Sequence, residues 1–484
     1  MSLKRSAAWT ALDTFGSAGL SFGFRLLVAR VLTPDQFGVA ALALTVLAVL
    51  QTVNDFGLTA SLIQKDEADV TPSLINTTFT ASGIVSLVLA ALTGFAIAPL
   101  AAWFYHQPQV GDLILVMAIS LLPSPFTTVA SALLLRQRRF REVALVRIAA
   151  TILSLAIAGT ILVVRPSPWA VVTQAITMPL IMVLGLCAAA KWRFRITLVK
   201  KHLKEVFGFS TFILMNDLAI SLSANAGVFI IGRMVSASDA GLYSLANYMT
   251  DTVRRALMSI LSRVTFVHFS QIKHDKPQLS QAYLSVQVWN SRVIFPIMTA
   301  FMLFGPALMN HFYGHRWDHA GSVVRWLSLA VIINAAGGAT SNLYRAIGRP
   351  GMDLALFLTT TTLIQFPGMA FGAYFYGLTG VAMAAAITKL VAVILRQILL
   401  DRIIGGTALH VLRAVARLVL LQAPLVIVWA ILNLYWPVHP WMADVAGGVL
   451  GCALYGLAEG PRAFPALARR VGLGALIPRS GAAG

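Results

Sequence analysis

Two arginines and a carboxylate lie within a five-residue stretch, at Asp251, Arg254 and Arg255. A guanidinium group presents a planar fork of N–H donors that matches the oxygens of a phosphate or carboxylate in pairs. Asp251 precedes the arginines by three and four positions, which favours ion pairs along a helix. The cluster therefore indicates either a binding site for an anion or an ion-paired group that neutralises itself.

Other ionisable residues interrupt apolar segments in the same way. A charge deep in a membrane helix costs at least about 2.5 kcal/mol, so it usually faces protein or a water-filled cavity. The cations that could bind an anionic substrate are Arg254, Arg255, Arg25, Lys389 and Arg292. The carboxylates that could carry a coupling ion are Asp251, Asp55, Asp217 and Asp13. For each group the alternative is a structural ion pair or a side chain that extends to the lipid headgroups.

The segments that carry these residues are membrane helices by composition. The chain is 58% hydrophobic and 11% charged, with a mean hydropathy of +0.79, far more apolar than a soluble domain. A window of about 19 residues predicts about fourteen spans, each able to cross roughly 30 Å of hydrocarbon. Their approximate limits are 9–29, 37–63, 75–104, 111–134, 143–164, 168–190, 206–231, 241–270, 284–312, 321–344, 352–376, 378–400, 413–435 and 440–459. About twelve spans is the alternative, if one pair is over-counted.

The distribution of Lys and Arg predicts the orientation. Basic residues concentrate in cytoplasmic loops. With the N-terminus inside, only Arg30, Arg165, Arg233 and Arg316 fall in outer loops, so both termini are predicted to be cytoplasmic. The net charge of +19 is spread over many loops beside helix ends, where anionic lipid headgroups would meet it, so no nucleic-acid partner is expected.

The chain carries no pattern typical of a covalent catalyst. Walker A, nucleophile-elbow and HExxH sequences are absent, and the longest predicted outer loops are too short to hold a soluble catalytic domain. His311, His315 and His319 could share one helix face and bind a metal, but Gly314 and the loop setting favour a chance cluster. We therefore expect no catalytic residue, no metal and no cofactor.

A sequence repeat predicts two similar bundles. The segment Arg30–Gly38 (RVLTPDQFG) has a counterpart 203 positions later at Arg233–Gly241 (RMVSASDAG), and each lies between two apolar helices. At the same offset Asp13 corresponds to Asn216, and Gln51 corresponds to Arg254. A second pair of similar segments, 135–140 and 344–350, is related by an offset of 209.

The repeat divides the chain into four predicted parts. Residues 1–190 form an N-terminal six-helix bundle, and 191–205 form a basic cytoplasmic linker. Residues 206–400 form a second six-helix bundle, pseudo-symmetric with the first. Residues 401–484 hold two additional helices and a basic cytoplasmic tail. The fold class is thus an all-α polytopic membrane protein.

Three motifs give the chain a resemblance to a known family. Ala29–Gly38, then 55–58 (DFGL) with Gln64, and Leu343–Pro350 (LYRAIGRP) resemble the Wzx-type polysaccharide transporters. These are oligosaccharide flippases of the superfamily that also holds lipid II flippases and multidrug antiporters. The resemblance covers about residues 1–400, and the last two helices are an expected extension.

The resemblance implies a function and a location. Two bundles would enclose a cavity that opens alternately to each side of the bacterial inner membrane. The substrate would be an oligosaccharide repeat unit on a polyprenyl pyrophosphate, for exopolysaccharide or lipopolysaccharide synthesis. A proton or sodium ion could drive the cycle, and the polysaccharide polymerase and export machinery are expected partners besides membrane lipids. The alternatives are a multidrug or cation antiporter of the same superfamily, or an integral-membrane glycosyltransferase or polymerase.

Overall fold

The computed structural model describes residues 3–56, 71–192, 194–272, 275–405, 407–435 and 441–463. All regular secondary structure in these ranges is helical. The chain divides into two compact units, Met1–Ser244 and Leu245–Gly484. Helices are the expected result, because only a helix satisfies its own backbone hydrogen bonds within one apolar segment.

Unit 1 holds nine helices of the described chain and the start of a tenth. They are α1 (Leu3–Val31), α2 (Pro34–Asp55), α3 (Pro72–Leu92), α4 (Ala98–Tyr105), α5 (Pro108–Met117), α6 (Ser124–Arg136), α7 (Phe140–Val164), α8 (Trp169–Ala190), α9 (Lys200–Met234) and α10 (Ala237–Gln271), which continues into unit 2. A π-helical turn, Thr93–Ile97, joins α3 to α4.

Unit 2 holds the rest of α10 and eight further helices of the described chain. They are α11 (Lys276–Tyr313), α12 (Asp318–Ala335), α13 (Thr340–Ala346), α14 (Pro350–Thr360), α15 (Phe366–Ile404), α16 (Ala408–Leu420), α17 (Ala423–Tyr435) and α18 (Trp441–Ala463). A second π-helical turn, Thr361–Gln365, joins α14 to α15.

Many of these helices are long and apolar enough to cross a membrane. Within the described residues nine continuous helical segments meet that description, and a tenth does if the pair α5 and α6, bent by 41°, is one span. In the described residues each of the fourteen predicted spans lies largely in helix; residues 57–63 and 440 of the predicted spans fall outside the described ranges. The protein is therefore a multi-pass, all-helical membrane protein.

One of the nine segments, Pro350–Ile404, contains a reversal of the chain. Gly377 inside it has non-helical backbone angles, with φ 57° and ψ −137°. A Cβ built on Gly372 would lie 2.4 Å from the carbonyl oxygen of Gly380, although eight residues of straight helix would span about 12 Å. The chain therefore folds back at Gly377, between the predicted spans 352–376 and 378–400.

The repeated turn has the same local structure in both copies. Before α2, the Thr33 hydroxyl accepts a hydrogen bond from the backbone N–H of Gln36. Before α10, the Ser236 hydroxyl accepts one from the backbone N–H of Asp239 at 3.0 Å. A hydroxyl at this position satisfies a backbone donor that the first turn of a helix leaves free. The preceding helices end at Val31 and Met234, so the predicted offset of 203 holds through the whole turn.

Inside unit 1 the two copies of this turn contact each other reciprocally. A Cβ on Gly38 would lie 1.8 Å from the carbonyl oxygen of Ala237, and one on Gly241 would lie 2.4 Å from that of Pro34. Pro34 and Ala237 are themselves equivalent at the offset of 203. The glycine of each copy therefore packs against the equivalent backbone carbonyl of the other copy. Only glycine permits backbones to approach this closely.

Buried side-chain amides fill breaks in the helices of each unit. In unit 1 the amide of Asn54 donates to the Leu121 carbonyl at 2.9 Å, between α5 and α6. In unit 2 the amide of Gln287 donates to the carbonyl of Ala335 and accepts from the N–H of Ala339, across the break between α12 and α13. Buried backbone groups that lose their helical partners need such replacements.

Candidate functional site

Asp251, Arg254 and Arg255 form one ion-paired group near the middle of α10. One carboxylate oxygen of Asp251 accepts hydrogen bonds from Nε and Nη2 of Arg254, at 2.8 and 2.5 Å. The other oxygen lies 2.6 Å from Nη1 of Arg255. A single carboxylate thus pairs with two guanidinium groups, and the group keeps a positive charge. The predicted pairing along the helix is present, and it leaves one cation in excess.

The two arginines point in different directions from α10. Val253 packs against the buried cluster around Ile294 and Met298, which fixes the inner face of the helix. The side chain of Arg254 is 33% exposed and that of Arg255 is 60% exposed. Adjacent helical residues are about 100° apart, so the two cations cover neighbouring faces of the helix.

Lys389 adds a third cation to this part of unit 2. It is half-buried on α15, in the electrostatic field of Arg254, Arg396 and Asp251. Within the described part of the chain Lys389 forms no ion pair. The region around Asp251 therefore has more positive than negative charge, which is the electrostatic condition for binding an anion.

Arg396 belongs to a balanced pair that the sequence reasoning missed. Its Nε lies 3.7 Å from the Asp353 carboxylate, and both side chains are largely buried, at 17% and 18% exposure. The Ser341 hydroxyl donates a hydrogen bond to the Asp353 carboxylate at 3.0 Å. Arg396 lies inside α15 and within the predicted span 378–400, but its partner 43 positions earlier left no local signal.

The remaining cationic candidates lie apart from the group on α10 along the chain. Arg25 is half-buried on α1 and lines a small cavity of about 20 Å³ with Phe24, Val28, Gln174 and other residues of unit 1. Arg292 is half-buried on α11 in unit 2. Arg25 thus belongs to unit 1, and Arg292 belongs to unit 2 with the group on α10.

Among the carboxylate candidates, Asp13 is buried and paired across two helices. One of its oxygens accepts a hydrogen bond from Nη1 of Arg147 on α7 at 3.0 Å. Its side chain is 10% exposed, whereas that of Arg147 is 40% exposed. The other carboxylate oxygen is buried without a described hydrogen-bond partner. Removal from water changes the free energy of the charged form of such a carboxylate relative to its neutral form, so its environment bears on proton exchange.

Asp55 and Asp217 occupy exposed positions. Asp55 is the last residue of α2, and Asp217 lies on α9, where it accepts a hydrogen bond from the Asn216 side chain at 3.1 Å. The three histidines His311, His315 and His319 are also exposed. Among described residues no group of three or more His, Cys, Asp or Glu side chains is placed to hold a metal.

The second pair of similar segments, 135–140 and 344–350, has a structural offset that differs by one residue from its sequence offset. The turn after α6 has Arg138 in a left-handed conformation and an N–H of Arg139 that donates to the Leu134 carbonyl. The turn after α13 has Gly348 left-handed and Arg349 donating to Tyr344. The structural offset is therefore 210, not 209, because the left-handed position and not the shared arginines defines the turn.

The fold and the charges define a class: multi-pass helical membrane proteins built on an internal repeat, with buried ionisable groups. Comparison with known proteins makes the assignment specific. The polysaccharide biosynthesis protein family matches residues 27–337, so the chain belongs to that family. The resemblance to Wzx-type flippases read from the motifs is confirmed.

Two curated relatives and one solved structure illustrate the similarity. The succinoglycan biosynthesis transport protein ExoT of Rhizobium meliloti is 27% identical over 329 residues, which are 68% of this chain and 66% of the relative. The lipopolysaccharide biosynthesis protein WzxC of Escherichia coli is 21% identical over 412 residues, 83% of this chain and 81% of the relative. The lipid II flippase MurJ in an inward closed conformation matches with a TM-score of 0.72 at 13% identity, covering 95% of this chain and 99% of MurJ. The match to MurJ establishes the fold alone.

Proposed function

We propose that this protein is a flippase that moves polyprenyl-pyrophosphate-linked oligosaccharide repeat units across the membrane by alternating access. Membership of the polysaccharide biosynthesis family and relatives named as transport proteins for succinoglycan and lipopolysaccharide synthesis support this function. One structural observation carries the proposal further. The excess of positive charge formed by Arg254 and Arg255 on α10 and by Lys389 on α15 suits a pyrophosphate and disfavours an organic cation.

The group on α10 is proposed to bind the pyrophosphate. Asp251 occupies Nε and Nη2 of Arg254 and Nη1 of Arg255, so both guanidinium groups keep further N–H donors. The same pairing holds the two forks in place, which lowers the entropy lost when an anion binds. Lys389, whose charge interacts with those of Arg254 and Asp251, supplies a further point charge. Arg25 and Arg292 are proposed as further contacts along the path of the substrate.

Coupling to a proton or sodium gradient is proposed to involve a carboxylate. Asp251 is already shared by two arginines, and Asp55 and Asp217 are exposed. Asp13 has the features that coupling requires, namely burial, one cationic partner and one oxygen without a described partner. We therefore rank Asp13 first among the four candidates.

The cellular setting follows the same proposal. We propose that the protein lies in the bacterial inner membrane with both termini cytoplasmic, and we expect it to supply a polysaccharide polymerase and export machinery. We propose that the chain has the four parts indicated by its sequence, with the bounds 1–190, 191–205, 206–400 and 401–484. We propose a transporter and not an enzyme, since the named relatives are transport and biosynthesis proteins.

Replacement of both Arg254 and Arg255 by Ala tests the proposal. A hydrogen bond to a charged group contributes ~1.5–3 kcal/mol, and ~1.4 kcal/mol corresponds to a tenfold change. We expect export of the polysaccharide to fall by about a hundredfold or more, with normal insertion and protein level. The matched control replaces Arg413 and Arg417, both exposed on α16, by Ala.

The outcome separates the proposal from its alternatives. Export at the control level in the R254A/R255A variant would return these residues to a structural role. Drug efflux by the wild-type protein, without any effect of its deletion on polysaccharide export, would favour the multidrug antiporter.

A further inference from the structure

Two helices of unit 1, α1 and α7, are joined by contacts of charged side chains near their N-termini. Near their N-termini, Arg141 of α7 lies 5.7 Å from the ring centroid of Trp9 on α1, and Arg147 pairs with Asp13 at 3.0 Å. Four residues along α1 is about 6 Å and six residues along α7 is about 9 Å, so these contacts join the helices over more than one turn. No corresponding polar contact is described between their C-terminal halves.

A groove of about 540 Å³ lies between those C-terminal halves. Gly19, Gly23 and Leu27 line it from α1, and Leu155, Gly159 and Val163 line it from α7. Every residue that lines it is glycine or apolar. A Cβ added at Gly19, Gly23 or Gly159 would meet no atom within 4 Å, so the three glycines open onto free space.

The groove fits a hydrocarbon chain. Its volume lies within the roughly 300–1,000 Å³ typical of ligand sites. A polar ligand would lose its hydration without gaining a hydrogen bond, because no side chain in the lining carries a donor or acceptor. Leu27 and Val163 are 59% and 83% exposed, so one side of the groove is open along the helices.

A cation lies on the other side of the same helix. Phe24 lines both the groove and the small cavity that holds Arg25. Gly23 and Arg25 are about 200° apart around α1, so the helix separates an apolar face from a cationic one. A molecule that suits both faces has a long apolar chain that ends in a phosphate.

We propose that the groove between the C-terminal halves of α1 and α7 holds the isoprenoid chain of the lipid-linked substrate, with its phosphate end toward Arg25. This proposal rests on the proposed function and deepens it. The isoprenoid chain is thereby bound by the protein at this groove and not left free in the bilayer. Phe24 lies at the boundary between the isoprenoid chain and the phosphate end of the lipid.

Filling the groove tests the proposal. The variant G23L/G159L adds side chains into space where no atom of the protein lies, and G83L, also a helical glycine with nothing within 4 Å, is the matched control. Binding of undecaprenyl pyrophosphate is measured on the full chain in phosphatidylcholine nanodiscs. We expect about tenfold weaker binding or more by G23L/G159L, since several buried methylene groups are displaced, and wild-type binding by G83L. Dimethylallyl pyrophosphate, which has no long chain, should bind all three proteins equally.

A cross-linking measurement does not depend on the folding of the filled variant. A photoreactive benzoylphenylalanine at Leu27, 59% exposed, should form an adduct with undecaprenyl pyrophosphate, whereas the same residue at Leu87 of α3, 64% exposed, should not. Equal adducts at both sites, or equal affinity of G23L/G159L and G83L, would overturn the proposal while the flippase function stands. Loss of co-purified phospholipid from G23L/G159L with unchanged undecaprenyl pyrophosphate binding would assign the groove to bulk lipid. Failure of the wild-type protein to bind undecaprenyl pyrophosphate at all would instead remove the proposed function.

Discussion

Substitution of Gly38 by Ala should disrupt the reciprocal contact between the two copies of the repeated turn. The added Cβ would lie 1.8 Å from the Ala237 carbonyl oxygen, about 1.6 Å inside the 3.4 Å at which ordinary contact begins. The obstacle is backbone and cannot rotate away. For Gly241→Ala the closest atom, the Pro34 carbonyl oxygen, lies at 2.4 Å, so the required shift is smaller.

The size of the effect follows from two opposing terms. Overpacking a close contact costs ~1–3 kcal/mol, and more where the backbone must move. Replacing Gly by Ala inside a helix gains ~1 kcal/mol in helix propensity. Gly83→Ala on α3 makes the same gain without meeting any atom, so comparison with it removes the propensity term. We expect Gly38→Ala to be less stable than Gly83→Ala by ~2 kcal/mol or more, with Gly241→Ala between them.

Denaturant unfolding in detergent, followed by tryptophan fluorescence, measures these differences. The double variant Gly38→Ala/Gly241→Ala should cost less than the sum of its parts, because both substitutions part the same two backbones. Equal unfolding free energies for Gly38→Ala and Gly83→Ala would refute the close approach, and additive costs would show that the two glycines act at separate contacts.

Two further substitutions test other parts of the structure. Gln287→Leu should lower the free energy of unfolding by ~2 kcal/mol or more, because two buried backbone groups at the break after α12 lose their hydrogen-bond partner. Gln281→Leu, on the same helix α11 but at a site exposed to solvent, should change the free energy of unfolding little. Equal melting temperatures of the two variants would contradict this prediction. Asp13→Asn should cost at most ~1 kcal/mol in stability, since Arg147 is partly exposed, yet it should abolish flipping driven by an imposed ion gradient while downhill exchange continues. Gradient-driven flipping by Asp13→Asn at the wild-type rate would remove Asp13 from coupling.

The sequence predicted features that depend on neighbouring residues. The predicted span 75–104 corresponds to helical structure from Pro72 to Tyr105, because hydropathy and the Thr71 cap act locally. The repeated turn was also visible, since its arginine, hydroxyl and glycine positions recur in order. The ion pairs of Asp251 with the arginines three and four positions later are likewise a local property of the helix.

Features that join distant segments were not predictable in the same way. Asp13 and Arg147 are 134 positions apart, and neither carries a sign of its partner. Gln287 reads as an ordinary polar residue until the break after α12 is placed beside it. The glycines of the repeat did carry a signal, because Gly38 and Gly241 recur at the offset of 203, but a recurring glycine predicts a close approach without naming what approaches.

Reconstitution of the purified protein in liposomes tests the central claim most directly. Undecaprenyl-pyrophosphate-linked oligosaccharide is placed in the inner leaflet, and an external glycosidase reports its arrival in the outer leaflet. We predict rapid exposure with the wild-type protein, and with R254A/R255A a rate at least about a hundredfold lower and near that of protein-free liposomes. A wild-type rate no faster than that of protein-free liposomes would contradict the flippase function.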